Sequence, residues 1–268
     1  MSGAFSIETV RAGDQFLRVG RHAGSANGPP LLMFNGIGGN IELLEPFARL
    51  LRRESIIFDV PGVGHSPLPA WPYRLRSLVR LAGQVLDEYY GHEPCDVLGI
   101  SWGGAPAQEF ARREPKRCRR LVLCATATGS VMLPARPGVL WKMATPRRYL
   151  DEGYILRIAG DIYGGDFRRD PLLAEQIFRH IRWQSRLGYY LQLFAAAGWT
   201  SIPWLHSLRQ PALLLAGADD PLVPLFNARL MCRLMRDARL EVLDCGHLFL
   251  LTRAEKSARL IEAFLDRE

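Results

Sequence analysis

Cys95-Asp-Val-Leu-Gly-Ile-Ser-Trp-Gly-Gly-Ala105 reads as a short apolar strand that turns sharply into a helix, with Ser101 at the apex. Gly99 and Gly103 flank the serine two residues away on either side. Side chains there would collide if strand and helix met in a bend tight enough to present the hydroxyl. Ser101 is therefore a candidate nucleophile. Taken alone, the same residues fit an ordinary glycine-rich turn, so the rest of the chain has to separate the two readings.

An acid and a histidine follow in chain order. Pro211-Ala-Leu-Leu-Leu-Ala-Gly-Ala-Asp-Asp-Pro221 is an apolar strand ending in a glycine, two carboxylates and a proline, the way a late strand of a parallel sheet delivers a side chain to its C-terminal edge. Either Asp219 or Asp220 fits the acid on this pattern. Leu240-Glu-Val-Leu-Asp-Cys-Gly-His247 is again a strand running through a glycine into an imidazole. Serine, aspartate and histidine at three successive strand ends, in that order, match a nucleophile, its orienting acid and its base. Upstream, Leu31-Leu-Met-Phe-Asn-Gly-Ile-Gly-Gly39 is a strand entering a glycine-rich loop that can offer backbone N–H groups to a developing oxyanion. A phosphate-binding turn is the competing reading of that loop, but no lysine follows at nucleotide-triphosphate spacing and no clean G-x-G-x-x-G is present.

Strands near 31–34, 55–58, 95–99 and 121–125 alternate with helices near 41–52, 74–90 and 104–114, and the rhythm returns with strands near 212–216 and 240–244 and helices near 225–236 and 252–266. That is an α/β fold: a mostly parallel central sheet covered by helices. Between about 130 and 204 the strand pattern lapses and aromatic residues are frequent. The expected organisation is a core of 1–129 and 205–268 with a helical lid inserted at 130–204. Trp141, Tyr163, Trp183 and Tyr190 are candidates for lining an apolar substrate cavity, against the alternative that these rings fill the insertion's own core.

At 268 residues and 48% hydrophobic content the chain can bury a substantial core. No opening stretch has the make-up of a secretory signal, and no apolar run approaches the roughly 20 residues that span a bilayer, so the expectation is a soluble cytoplasmic protein. Five cysteines scattered through strands and helices fit buried small hydrophobes in a reducing compartment, and no Cys/His cluster has zinc spacing, so no metal and no cofactor is expected. The net charge of +7 raises a nucleic-acid reading, with Arg112 to Arg120 its best local case. That run falls at a helix-to-strand connection on the face away from the strand ends, where a solvated helix end explains it, and no nucleic-acid partner is expected.

Beyond these local patterns, the chain resembles the α/β-hydrolase superfamily throughout, and within it the intracellular medium-chain-length polyhydroxyalkanoate depolymerases. The matching pieces are Phe34-Asn-Gly-Ile-Gly38, Phe58-Asp-Val-Pro-Gly-Val-Gly64, Gly99-Ile-Ser-Trp-Gly-Gly104, Pro146-Arg-Arg-Tyr149, Ile162-Tyr-Gly-Gly165, Phe167-Arg-Arg-Asp-Pro171, Leu187-Gly-Tyr-Tyr190, Gly198-Trp-Thr-Ser-Ile202 and Gly246-His-Leu-Phe-Leu250. The resemblance implies a serine esterase acting on stored polyesters of medium-chain 3-hydroxy acids. Its expected place is the cytoplasm, at the polyester granule surface and in company with other granule-associated proteins. By motif, the nucleophile falls on Ser101, the acid on Asp220 and the base on His247, with the backbone N–H groups of Ile37 and Trp102 as oxyanion donors. His65 departs from the pattern, where a small residue is expected, and is a weaker competitor for the base. The alternatives are an esterase or lipase-like enzyme for small medium-chain esters, and a non-catalytic binding module on the same scaffold, which would have no use for all three triad residues.

Overall fold

The computed structural model of the chain describes residues 4–144, 146–178 and 185–267, apart from the side chains of Asn27 and Tyr149. The first half runs β1 (Phe5–Ala12), β2 (Gln15–His22), β3 (Ala26–Phe34), α1 (Ile41–Ala48), β4 (Arg53–Phe58), α2 (Leu75–Tyr90), β5 (Cys95–Ile100), α3 (Gly104–Arg113) and β6 (Cys118–Cys124). Six helices follow among the described residues: α4 (Pro137–Met143), α5 (Arg147–Leu150), α6 (Glu152–Tyr163), α7 (Gly165–Arg169), α8 (Leu172–Phe178) and α9 (Arg186–Ala196). The chain then returns through β7 (Ala212–Gly217), α10 (Leu225–Leu234), β8 (Ala238–Leu243), α11 (Phe249–Thr252) and α12 (Ala254–Leu265).

The strands form one eight-stranded sheet in the order β1-β2-β4-β3-β5-β6-β7-β8, antiparallel at β1/β2 and β2/β4 and parallel from there on. Period-two alternation in the inner strands feeds two cores. Leu32, Phe34, Val97, Leu121, Leu123 and Leu214 point to the side packed by α2, α3 and α10. Leu31, Met33, Leu98, Ile100, Val122 and Leu215 point to the side packed by α1 and α12. Burial on both faces is why these strands read as unbroken apolar runs. Four cysteines lie in this interior, and burial pushes the Cys95 thiol up to about 12.

Two features differ from the sequence expectation. The hairpin β1–β2 is an addition. Its first strand lies mostly exposed at the sheet edge, so it carries little apolar signal, although Gly13-Asp14 between the paired Ala12 and Gln15 is a two-residue hairpin turn. The arginine run is a solvated helix end only in its first half, where Arg112 and Arg113 close α3 and are exposed together with Lys116. Arg117 is buried, pairs with Asp87 at 2.7 Å and donates to the carbonyl of Gly91 at the end of α2. Arg119 pairs with Asp96, and buried Arg120 donates to the carbonyl of Phe264 near the end of α12. Arg117, Arg119 and Arg120 thus bind helix C-terminal carbonyls and the carboxylates of Asp87 and Asp96, which ties the second half of the run to the fold.

The helical insertion is pinched at its base, where Gly129 bridges Thr200, Ser130 N–H donates to the Trp199 carbonyl at 2.7 Å and Ser201 N–H to that of Thr128 at 2.9 Å. Ile155, Ile158, Ile162, Tyr163 and Phe167 form a small core of its own, against which Leu222 and Leu248 from the β7 and β8 loops pack.

Candidate active site

Ser101 occupies the bend between β5 and α3 with φ of 54°, a left-handed backbone that a residue with a Cβ adopts only when its surroundings enforce it. The enforcement is steric. A Cβ on Gly99 would lie 2.3 Å from the Gly103 carbonyl oxygen, and one on Gly103 would lie 2.2 Å from that of Phe34. The two flanking glycines thus let strand, bend and the β3 loop close on one another, while Thr126 after β6 donates its hydroxyl to the Ser101 carbonyl at 2.7 Å.

The other two side chains arrive from the ends of β7 and β8. His247 Nε2 lies 2.9 Å from Ser101 Oγ, and His247 Nδ1 lies 2.7 Å from Asp220 Oδ2. A carboxylate only accepts, so the Nδ1 proton points to Asp220 and the Nε2 lone pair faces the serine hydroxyl. The second oxygen, Asp220 Oδ1, accepts from the N–H groups of Leu222 and Val223 at 2.9 and 2.8 Å, which locks the carboxylate plane. Asp219 turns the other way, to Arg168 at 2.6 Å and to the Gly165 N–H at 2.9 Å. Burial opposes its ionisation, yet those two donors outweigh it and hold the Asp219 carboxyl below the usual range.

The insertion is built into this site. The His247 N–H donates to the Tyr163 carbonyl at 2.7 Å, and the Tyr163 ring stacks on the imidazole with centroids 6.3 Å apart. A Cβ on Gly165 would fall 1.9 Å from the Gly246 nitrogen, so the Ile162-Tyr-Gly-Gly165 segment lies backbone to backbone against the histidine loop.

In the β3 loop, Asn35 Oδ1 accepts from Gly36 N–H at 2.8 Å, Asn35 Nδ2 donates to the Asn40 carbonyl at 2.6 Å, and Gly39 N–H closes a turn onto the Gly36 carbonyl at 2.8 Å. This turn runs beside the serine, since a Cβ on Gly36 would come within 3.6 Å of Ser101 Cβ. Trp102 follows the serine at the start of the helical turn that leads into α3, where backbone N–H groups point out of the helix end. Ile37 and Trp102 therefore border Ser101 from two sides.

Two apolar clefts meet at the serine and share Ile37, Ser101, Met143 and Leu222. The wider, about 500 Å³, is walled by Ala127, Met132, Leu140, Tyr189, Leu193 and Trp199. The narrower, about 40 Å³, runs past His247 between Ile100, Tyr163, Phe178, Leu248 and Leu251. Of the four aromatic candidates, Tyr163 lines the narrow cleft while also belonging to the insertion's core. Trp141 is 81% exposed, Tyr190 is 46% exposed, and neither borders a cleft. Trp183 lies outside the described residues. Trp141 sits on a short helix whose one buried residue is Val139, two positions earlier, so its own direction faces solvent. His65 is exposed, and its backbone N–H is 3.3 Å from Asp59 Oδ2, away from the Ser101 hydroxyl that His247 engages. The cleft residues Met132, Met143, Leu193 and Leu222 carry no motif and were not legible in the sequence.

The chain matches the alpha/beta hydrolase fold over residues 29–254. It is 50% identical, over 100% of its own length and 95% of the relative's, to a poly(3-hydroxyalkanoate) depolymerase of Ectopseudomonas oleovorans. It is 24% identical to a 3-oxoadipate enol-lactonase of Acinetobacter baylyi over 91% of each chain. Among solved structures, an enol-lactonase from Burkholderia xenovorans superposes with a TM-score of 0.80 at 21% identity, covering 97% of this chain and 100% of that one, a likeness of fold alone. With a strand order, a sharp bend at Ser101 and a full-length sequence match in agreement, the chain belongs to the alpha/beta hydrolase fold family and, within it, to the family of the Ectopseudomonas oleovorans poly(3-hydroxyalkanoate) depolymerase.

Proposed function

We propose that the chain is a serine esterase that cleaves poly(3-hydroxyalkanoate) with medium-length side chains, at the surface of cytoplasmic polyester granules. The reading rests on one observation above the others: the hydrogen-bonded series Ser101, His247, Asp220 opens directly into apolar clefts. The 50% identity to a depolymerase supports the substrate class.

In this mechanism His247 Nε2 takes the Ser101 proton as Oγ attacks an ester carbonyl carbon, and Asp220 stabilises the imidazolium that forms. The backbone N–H groups of Ile37 and Trp102 receive the oxyanion, each worth roughly 3 kcal/mol in the transition state. Collapse breaks the bond to the alcohol fragment, which takes the proton from His247 and leaves a 3-hydroxyacyl ester on Ser101. Water, giving a proton to His247, attacks that ester, releases the acid and restores the serine. Water is the only co-reactant. The wide cleft accommodates the polymer segment with its alkyl branches, and the insertion limits water around the reacting carbonyl.

Parallel assays on suspended medium-side-chain polymer, suspended short-side-chain polymer and small 4-nitrophenyl esters test the substrate. The expected result is release of 3-hydroxy acids from the medium-side-chain polymer at a rate at least about 10-fold above that from the short one, about the discrimination that a few methylenes allow. Cleavage of the small esters with no acid released from either polymer would reduce the activity to that of a small-ester esterase.

Contact with the solid substrate is assigned to the exposed apolar side chains beside the wide cleft, Val131, Leu133, Leu140 and Trp141 among them. Trp141→Ala is expected to lower co-sedimentation with polymer granules several-fold while leaving Tm and turnover of a small ester nearly unchanged, because a ring 81% exposed contributes little to the core. Equal losses on polymer and small ester would assign Trp141 to the fold instead.

A further inference from the structure

The glycine-rich loop beside Ser101 is held by a residue of the insertion that carries no recognisable motif. Gln192, on α9, is 1% exposed. Its side-chain Oε1 accepts from the Gly38 N–H at 2.7 Å, and its backbone carbonyl accepts from the Trp102 indole Nε1–H at 3.0 Å. One residue thus touches the loop of Ile37 through its side chain and the residue after the nucleophile through its backbone.

The Gly36–Gly39 turn has Ile37 and Gly38 at its centre, with Gly38 at φ of 68°. A turn with three glycines has a low barrier between its two central-peptide orientations, because glycine tolerates either. An acceptor fixed on the Gly38 N–H selects one of them. On the other side of Ile37 the Gly36 carbonyl accepts from the Gly39 N–H at 2.8 Å, and one peptide earlier the Gly36 N–H is bound by Asn35 Oδ1. The peptide units before and after Ile37 are therefore both anchored, the first through its Gly36 carbonyl by the Gly39 N–H and the second through its Gly38 N–H by Gln192.

The anchor itself is firmly placed. Near the start of α9, Gly188 packs so tightly on Gly62 that a Cβ there would lie 1.7 Å from the Gly62 oxygen. At its end, the Arg74 guanidinium donates to the Phe194 carbonyl at 2.8 Å and lies 4.0 Å over the Phe194 ring. A helix pinned at both ends makes a stiff support for an amide between them.

From this geometry we infer that Gln192 is a positioning residue for the oxyanion site, setting the aim of the Ile37 and Trp102 backbone N–H groups. The inference rests on the reading of Ser101 as nucleophile and of those two groups as donors. It also makes seating of α9 a condition for catalysis, because any outward displacement of the helix releases both anchors together. Gln192 touches no reacting atom in this scheme. Its effect falls on the transition state, where the oxyanion exists, and not on ground-state binding.

The test uses Gln192→Met, which keeps length and volume but removes the strong acceptor. Tm is recorded, and three readouts are taken: steady-state kinetics (kcat and KM) on a 4-nitrophenyl ester, the Kd of an alkyl boronic acid that forms a tetrahedral adduct with the serine, and the Kd of an ether analogue of the ester that has no carbonyl. Removing a donor outright costs 10²- to 10³-fold, so a mis-aimed one is expected to cost about 10-fold. That loss should appear equally in kcat and in boronic acid affinity, with KM and ether affinity changed by less than about 2-fold. A weakened ether affinity with kcat intact would make Gln192 a cavity wall. Parallel losses in Tm and in all three readouts would make it a packing residue, and either result overturns the inference.

Where Gln192→Met does not fold, Trp102→Phe removes the indole bond to the same residue along with part of the ring that packs beside the wide cleft, and the ether affinity separates the two effects. A loss of about 3-fold in kcat and boronic acid affinity, at constant ether affinity, supports the brace, and no loss overturns it. Failure of the underlying reading looks different: wild-type protein would then bind the boronic acid no better than Ser101→Ala does.

Discussion

Ser101→Ala lowers kcat on a small ester by about 10⁶-fold, the loss expected when a nucleophile that acts as a unit with its base is deleted. The reason is geometric. Among the described residues, the Ser101 hydroxyl is the side-chain group that His247 Nε2 engages, at 2.9 Å, and it stands beside the proposed backbone donors. The same substitution abolishes covalent labelling by a fluorophosphonate, read by mass spectrometry of the intact protein and its peptides. Alanine keeps the Cβ that the bend at φ of 54° already holds and gives up only the hydroxyl's contacts, that with His247 among them, so the variant is expected to fold with a Tm within a few degrees of the parent. Full labelling at another residue, with activity retained, would remove Ser101 from the mechanism.

Asp220→Asn is expected to lower kcat by about 10⁴-fold, while Asp219→Asn costs less than about 10-fold. An amide at position 220 presents either an N–H to His247 Nδ1 or a weaker acceptor, and the first outcome imposes the wrong imidazole tautomer. The two backbone donors on Asp220 Oδ1 favour it, because they retain the oxygen and leave the amide nitrogen toward the ring. Asp219 has no such contact. Its loss frees Arg168 and the Gly165 N–H, so a modest fall in Tm with nearly intact turnover is expected. Steady-state kinetics of the two variants side by side decide the assignment, and a far larger loss at 219 would reverse it.

The placement of Ser101 and His247 at strand ends was legible because each requirement is local: a strand, a glycine and a polar side chain within a few residues. The choice between Asp219 and Asp220 was not settled by the strand pattern, since both stand before Pro221 at the same strand end. Motif alignment favoured Asp220, and the hydrogen bonds show the physical difference, one carboxylate facing the imidazole and its neighbour facing Arg168. The arginine run was legible as a solvated helix end at Arg112 and Arg113 but not at Arg117 and Arg120, because charge along a sequence does not reveal whether carbonyl-rich helix ends from distant segments converge on it, as those of α2 and α12 do.

The sequence by itself determined the alternation of strands and helices, the sharp bend at Ser101 and the order of the three polar side chains, because backbone sterics and period-two or helical burial act over short spans of chain. Only the tertiary structure decided which insertion residues face the serine. Tyr163 borders the narrow cleft, Trp141 is exposed, and Gln192, without any motif, reaches the oxyanion loop. Short helices can present a ring inward or outward with nearly equal local energy. The choice is made by contacts between residues more than a hundred positions apart, such as Gly38 with Gln192 and Gly62 with Gly188, which no local pattern encodes.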